Sequence, residues 1–345
     1  MFPGYTLDSE MRVRAGPDTK TSNLTELVAL FRSKDAQLWE QNKDLFDGHT
    51  RFLDNSPNKS NKVAFASFPR SGNSFLRKYL EMLTGIATGA DNTLHVNVHL
   101  QMQNLKGEWC VDDTVWIAKT HSPWIMPDAP SFLANKMIVI VRNPTEVIIS
   151  WLNLVATCSH NVKQPFDVEK DYPNYWDWWV EDCSRYMAAW YQTYIQEAKM
   201  RKVPILFIRF EDLVTDPKSQ LTNIMRFLCG IKQIEGTNAE RRVQEVIDKG
   251  TAATRTYDLK ESTLKFDANK VRYTQKQLDL IQERMKEMMF MFGYATTEVE
   301  PDNNTAFYNF GKNDPMGARH KSFRTLNENM IDWVCSLDDA DLAKF

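Results

Sequence analysis

The sequence has no long apolar run. Nothing in it approaches the roughly 20 consecutive apolar residues of a membrane helix, so no membrane span is expected. Its start, Met1 to Glu10, has neither a basic stretch nor an apolar core and does not read as a secretory signal. An excess of charge is lacking too. The 42 basic and 45 acidic residues leave −3, which argues against wholesale binding to nucleic acid and confines any basic site to a local cluster. Cysteine is scarce: Cys110, Cys158, Cys183, Cys229 and Cys335 are odd in number, widely scattered, and not at metal-ligand spacing. Reduced, mostly buried thiols and no metal are the expectation. Acceptor triplets for glycosylation at Asn23, Asn58 and Asn303 are read as chance in a chain without a secretory signal. These absences point to a cytoplasmic protein. No repeat is evident, and 345 residues with 43% hydrophobic and 25% charged content suit one large α/β domain or two smaller ones.

What is present centres on Val63-Ala-Phe-Ala-Ser-Phe-Pro-Arg-Ser-Gly-Asn-Ser-Phe-Leu-Arg77. Val63 to Phe68 reads as a buried strand, Pro69 ends it, and Gly72 lets the backbone turn tightly. Leu76, Tyr79, Leu80 and Leu83 follow at helical spacing. Strand, tight loop and helix in that order gather backbone N–H groups and a helix N-terminus around one point, which makes an anion site. The loop is not a nucleotide triphosphate cradle, because G-x-x-x-x-G-K-[ST] is absent and the basic residue, Arg70, precedes the glycine.

Around this core the pattern alternates strand and helix. Residues 1–23 read as polar and loose, and Leu24 to Phe46 as one helix capped by Thr21, Ser22 or Asn23. Thr84 to Asp113 is irregular; packing or surface roles are the default for its His95, His99, Trp109 and Cys110, and lining a pocket is the alternative. Strands are expected at Thr114–Ala118, Lys136–Val141 and Pro204–Ile208. Helices are expected from Pro144, over Tyr172–Tyr194, over Pro217–Cys229 with Gly230 as the stop, and over Thr274–Phe292. In the aromatic helix Trp176, Trp179, Cys183, Tyr186, Met187, Trp190 and Tyr194 fall at three-to-four-residue steps and read as its core face, with an aromatic acceptor wall as the sharper alternative. Met285, Met288, Met289 and Met291 read as core filler. From Thr296 the composition changes, and a short amphipathic end, Leu326 to Leu337, closes the chain.

Such alternation predicts an α/β fold with a central parallel sheet flanked by helices, whose ligands sit beyond the carboxyl ends of the strands. Those ends are Pro69-Arg70, Lys119-Thr-His121, Arg142-Asn143 and Arg209-Phe-Glu211. So many cations at interior strand ends gain nothing structurally, and convergence on a polyanionic ligand explains them better.

In the ordered set Pro69-Arg-Ser-Gly-Asn-Ser-Phe75, Lys119-Thr-His121 and Val141-Arg-Asn-Pro144 with Ser150-Trp151, backed by Phe210-Glu-Asp212, the chain resembles sulfotransferases that use 3'-phosphoadenosine 5'-phosphosulfate (PAPS). It is most similar to the group with a P-R-S-G-N-[ST] loop, which includes the sulfotransferase domains of WSC-domain proteins, and Lys119-Thr-His-Ser-Pro123 resembles the soluble cytosolic enzymes. The resemblance implies a three-layer fold like that of P-loop NTPases. It divides the chain into an N-terminal extension with one helix (1–61), a sulfotransferase domain (62–294) and a tail (295–345).

By the same resemblance Arg70, Ser71, Gly72, Asn73 and Ser74 cradle the 5'-phosphosulfate, Phe75 replaces an aromatic that stacks on adenine, and Arg142 with Ser150 binds the 3'-phosphate. His121 matches the general base that takes the acceptor's proton, a task its pKa suits. Lys119, two residues away on the same face of an extended segment, would neutralise the transferring group, and Arg70 would stabilise the leaving oxygen. A small-molecule or saccharide acceptor with a hydroxyl or amine is implied, and no metal. Two departures stand out. Arg70 replaces the lysine of the cytosolic enzymes and cannot donate a proton, and their R-K-G loop is missing as such. Arg255, Lys265, Lys270, Arg272 and Lys312 are candidates to complete the 3'-phosphate site. The competing readings are a non-catalytic scaffold that keeps the fold, and a nucleotide kinase or hydrolase, against which the missing Gly-Lys-[Ser/Thr] argues.

Overall fold

Val63–Ser67 (β3) is buried along its whole length, and a strand apolar on both faces needs cover on both faces. In the computed structural model it lies inside a six-stranded parallel sheet of order β5-β4-β6-β3-β7-β8. The partners are Gly89–Ala90 (β4), Gly107–Glu108 (β5), Ile117–Thr120 (β6), Lys136–Val141 (β7) and Ile205–Arg209 (β8). Val63 faces Ile117 on one side and Lys136 on the other. The chain leaves β3 toward one edge of the sheet and returns after β6 to the other, so the loop after β3 opens at the point where the strand order reverses. The structure describes residues 5–7, 13–15, 23–54, 61–92, 105–123, 129–158, 164–250, 269–294 and 317–345.

Helices cover the sheet as the punctuation residues dictate. Asn73–Thr84 (α3) follows the glycine loop. Pro144–Thr157 (α4) begins with its proline at the first helical position, and the Asn143 side chain accepts from the Thr145 N–H at 3.1 Å. A short helix, Val168–Asp171 (α5), precedes the long Pro173–Lys199 (α6), which buries Trp176, Trp179, Cys183, Met187, Trp190 and Tyr194. Tyr186 does not join that face: one position out of step, it is 41% exposed. Phe210–Thr215 (α7), Pro217–Cys229 (α8), ended by Gly230 at φ 61°, and Asn238–Lys249 (α9) follow β8.

Several expected elements shift. The helix expected over Leu24–Phe46 divides into Leu24–Arg32 (α1), Ala36–Asn42 (α2) and a 3₁₀ turn, Lys43–Phe46. Asp35 causes the break, because its carboxylate caps α2 by accepting from the N–H groups of Gln37 and Leu38. Asn23 is the cap of α1. Residues 5–7 and 13–15, expected to be loose, form an antiparallel pair, β1 and β2. The strand placed at Thr114–Ala118 runs instead from Ile117 to Thr120, since Asp112 holds Thr114 and Val115 in a turn. The Thr274 helix, with its capping box, breaks at Met285 into Gln275–Arg284 (α10) and Lys286–Met291 (α11). β4 and β5 lie inside the stretch read as irregular. They approach so closely that a Cβ on Gly89 would meet the Cys110 carbonyl at 2.1 Å, and one on Gly107 the Thr88 carbonyl at 2.3 Å. His95 and His99 lie outside the described residues.

Both flanking segments share the one core. Leu24, Leu27 and Phe31 belong to it at one end of the chain, and Leu326, Met330, Ile331 and Val334 at the other. The last four sit on Gly317–Ser336 (α12), which a short Asp339–Leu342 (α13) follows. On α12 the Asn327 side chain accepts from the Phe207 N–H at 3.1 Å and donates to the Phe207 carbonyl at 2.8 Å. One side chain thus satisfies both backbone groups of Phe207 on the open edge of β8. No disulfide joins any of the five cysteines, and among the described residues no helix is long and apolar enough to cross a membrane.

Candidate functional site

At the carboxyl end of β3 the backbone is forced into an anion cradle. Arg70 takes φ 69° and Gly72 φ 99°, and Gly72 is the residue from which α3 starts. Glycine is required there twice over, by its left-handed conformation and because a Cβ would lie 2.3 Å from the Phe210 ring. The N–H groups at the start of α3, among Asn73 and Ser74, have no intrahelical partner and carry the positive end of the helix dipole.

Three predicted residues converge on one flank of this loop. Arg70 Nε donates to Ser150 Oγ at 2.9 Å, so Arg70 leans toward the α4 serine. Arg142, at the end of β7, donates from Nη1 to the Arg70 carbonyl at 3.1 Å and lies over the Phe210 ring, 4.5 Å from its centroid. Behind them Glu211 accepts from the Asn143 N–H at 3.0 Å and from the Tyr294 hydroxyl at 2.6 Å, tying the ends of β7 and β8 together. Burial pushes the Glu211 carboxyl up, against the pull of those hydrogen bonds.

The other flank holds His121. Its Nδ1 lies 2.6 Å from the Ser67 carbonyl. A carbonyl only accepts, so Nδ1 carries the proton and Nε2 keeps its lone pair. Asn73 donates to Ser67 Oγ at 2.8 Å, which links the cradle to the same strand end. From α6, Trp190 Nε1 donates to the His121 carbonyl at 3.2 Å and the Tyr194 hydroxyl to the Ser122 carbonyl at 2.7 Å. The aromatic helix therefore fixes the backbone on which the histidine is carried. Burial first, and then the Lys119 charge, push the imidazole well below its usual value, so it is neutral at pH 7. Lys119 is 2% exposed, and burial lowers its ammonium to about 7.

The remaining candidates separate. Phe75 is buried, in edge contact with Tyr79 at 5.1 Å and Phe210 at 5.9 Å. Arg272 is held by Glu169, with Nε to Oε1 at 2.5 Å, and Lys270 lies beside it in a 3₁₀ turn. Arg255, Lys265 and Lys312 lie outside the described residues. Sequence reasoning missed Ser67 as the histidine's partner, although its place at a strand end was a usable signal. It also missed Tyr191, whose buried hydroxyl turns toward Ser71 and the Arg142 backbone and which lies outside the set of residues singled out on that helix.

Three buried polar atoms near the loop, Lys119 Nζ, Ser71 Oγ and the Tyr191 hydroxyl, complete no hydrogen bond among the described residues. Buried polar groups are seldom left so. Donors of this kind beside a glycine cradle and two arginines fit an anionic phosphosulfate. Among the described residues no group of three or more His, Cys, Asp or Glu is arranged to hold a metal ion.

Comparison with known proteins agrees with this geometry. The chain is 29% identical over 182 residues to a WSCD family member of Aedes aegypti, covering 53% of this chain and 53% of that protein. It is 28% identical over 184 residues to a WSCD family member of Drosophila melanogaster, covering 50% and 55%. It is also 28% identical over 117 residues to sulfotransferase 1A1 of Rattus norvegicus, covering 32% and 37%. The chain thus spans about half the length of the WSCD relatives it matches. The model of the sulfotransferase domain matches residues 60–278, well over half of the chain, which therefore belongs to the sulfotransferase family.

Proposed function

We propose that the protein transfers the sulfuryl group of PAPS to a hydroxyl or amine of a small-molecule or saccharide acceptor, with His121 as the general base. One observation carries this reading. The 2.6 Å contact between His121 Nδ1 and the Ser67 carbonyl places a proton on Nδ1, and the pKa lowered by burial keeps the ring neutral at pH 7, so that Nε2 is the free nitrogen. A base that takes a proton from an acceptor needs this state.

PAPS supplies an activated sulfuryl group whose transfer needs little covalent help from the protein, which has to align the reactants and offset charge. Gly72 and the first N–H groups of α3 serve the phosphosulfate. Arg70, Arg142 and Ser150, already in contact with one another, form the phosphate-binding flank. Lys119 supplies positive charge on the side where the sulfuryl group moves. A cytoplasmic location is part of the proposal, and a set of five cysteines that forms no disulfide supports it.

Turnover of labelled PAPS with a panel of phenols, alcohols and sugars tests the reading. His121→Ala is expected to lower turnover by about 10²–10⁴-fold and to leave binding of 3'-phosphoadenosine 5'-phosphate intact. Turnover that survives His121→Ala removes the histidine from its role. Binding of ATP with Mg²⁺ and no response to PAPS would replace the proposal with nucleotide chemistry.

A further inference from the structure

The proposed reaction asks Lys119 for a positive charge, yet Lys119 lies 2% exposed within the sheet, where an isolated ammonium sheds its proton. β6 sets Lys119 opposite Ala90 of β4 and Phe65 of β3. Asp91, directly after β4, is anchored on it: the Asp91 N–H donates to the Lys119 carbonyl at 3.1 Å, and its carboxylate accepts from the Thr120 hydroxyl. One strand farther out, Glu108 of β5 is fully buried, with Oε1 paired to Arg77 and Oε2 completing no hydrogen bond among the described residues. Arg77 is fixed from α3 through Nε to the Thr88 hydroxyl and Nη2 to the Thr88 carbonyl, each at 2.9 Å.

Among the described residues the charged groups facing Lys119 are therefore Asp91 after β4, Glu108 on β5 and Arg77 on α3, with neutral His121 just beyond it in sequence. Two cations and two anions balance in one buried cluster. Within it Lys119 Nζ gives no hydrogen bond to either carboxylate. The carboxylates act on the ammonium through the field alone and take none of its donors.

We propose that Asp91 and Glu108 are positioning residues, which keep Lys119 cationic while leaving its N–H groups for an oxygen of the anionic co-substrate. This rests on the sulfotransferase reading of the site. A direct ion pair would engage those donors before the ligand arrived, and a purely apolar lining would leave the lysine neutral. Arg77, by pairing one oxygen of Glu108, gives that buried carboxylate a partner.

The test reads Lys119 directly. The Cε resonance of Lys119, assigned by its loss in Lys119→Arg, is titrated by NMR in the parent and in Asp91→Asn, beside the pH profile of kcat/KM for PAPS. In the parent the midpoint is expected near 7. Asp91→Asn removes a charge that holds the proton on, so the midpoint falls by about one unit. That makes kcat/KM drop about tenfold at pH 8 and only about twofold at pH 6. Asp91→Glu, which keeps the charge, restores the profile, and Asp91→Asn adds no pH shift in a Lys119→Arg background. Where Asp91→Asn fails to fold, Glu108→Gln undergoes the same titration.

A Lys119 midpoint unmoved by either substitution overturns the proposal, as does a loss of kcat/KM by one factor at every pH. A midpoint that falls in a protein showing no PAPS turnover upholds the coupling and overturns the sulfotransferase reading, so the two failures are told apart.

Discussion

The strands on the two sides of β3 are made of different material. On one side β7 and β8 face each other through Ile138 and Leu206, Val139 and Phe207, and Ile140 and Ile208, an apolar ladder. On the other, β4 and β5 are two residues long, and close contacts at Gly89 and Gly107 hold them together. That side buries Arg77 and Glu108 fully, and Asp91 and Lys119 nearly so. The apolar half ends in Arg142 and the Glu211-braced turn, to which the proposed function gives the phosphate; the charged half ends in Lys119 and His121. Burial of apolar area stabilises the first half without regard to direction. In the second half buried charges make stability depend on complete pairing. In the proposed reaction, binding is thus hung on the robust half of the sheet and chemistry on the conditional one.

Breaking the charged half should have the largest effect on stability. Arg77→Met leaves Glu108 buried without its partner and is expected to lower the unfolding free energy by about 3–5 kcal/mol, read from urea denaturation. Arg77→Met with Glu108→Leu removes both charges and should recover most of that loss. If the double variant is as unstable as the single one, packing of the side chains and not their charge maintains this half. In the apolar half the corresponding weak point is its outer edge. Asn327→Ala strips the partner from both the Phe207 N–H and its carbonyl, and an expected cost of about 1–3 kcal/mol follows from two unsatisfied buried groups. The same denaturation measurement checks it, and a loss below 0.5 kcal/mol, about the lower end for one hydrogen bond, would show that α12 does not close the sheet.

The two halves also differ in how far they could be read from the chain alone. Strand β7 and helix α8 stand where the sequence pattern puts them, because Ile/Val runs mark a buried strand and Pro217 and Gly230 mark a helix. Pro144 marks the start of α4 in the same way. The positions of His121 and Arg142 were legible for the related reason that strand ends are where such a sheet binds its ligand, whereas Ser150, inside α4, was picked out only by the resemblance. β4 and β5 were not legible, since two residues cannot display a period and their pairing depends on contacts with Cys110 and Thr88. Nor was the field around Lys119, which Arg77, Asp91 and Glu108 create only when the chain is folded. The C-terminal helix was seen as amphipathic, but nothing in its composition said that Asn327 would meet Phe207.

The smallest effect comes from the same chemical pair in another setting. Arg226 on α8 meets Glu328 on α12 through Nη1 to Oε1 at 2.7 Å and Nη2 to Oε2 at 2.9 Å, a two-pronged contact. Glu328 is 49% exposed, however, so water already solvates it and its release leaves no stranded charge. Arg226→Met is therefore expected to cost no more than about 1 kcal/mol, and less at high salt. Arg77→Met removes the same kind of contact at several times that cost, because no water reaches Glu108. Equal losses at the two sites would mean that the pairing geometry, and not the exclusion of water, sets the energy of the charged half. Its Lys119 would then have to be as well hydrated as any surface lysine, which its 2% exposure contradicts.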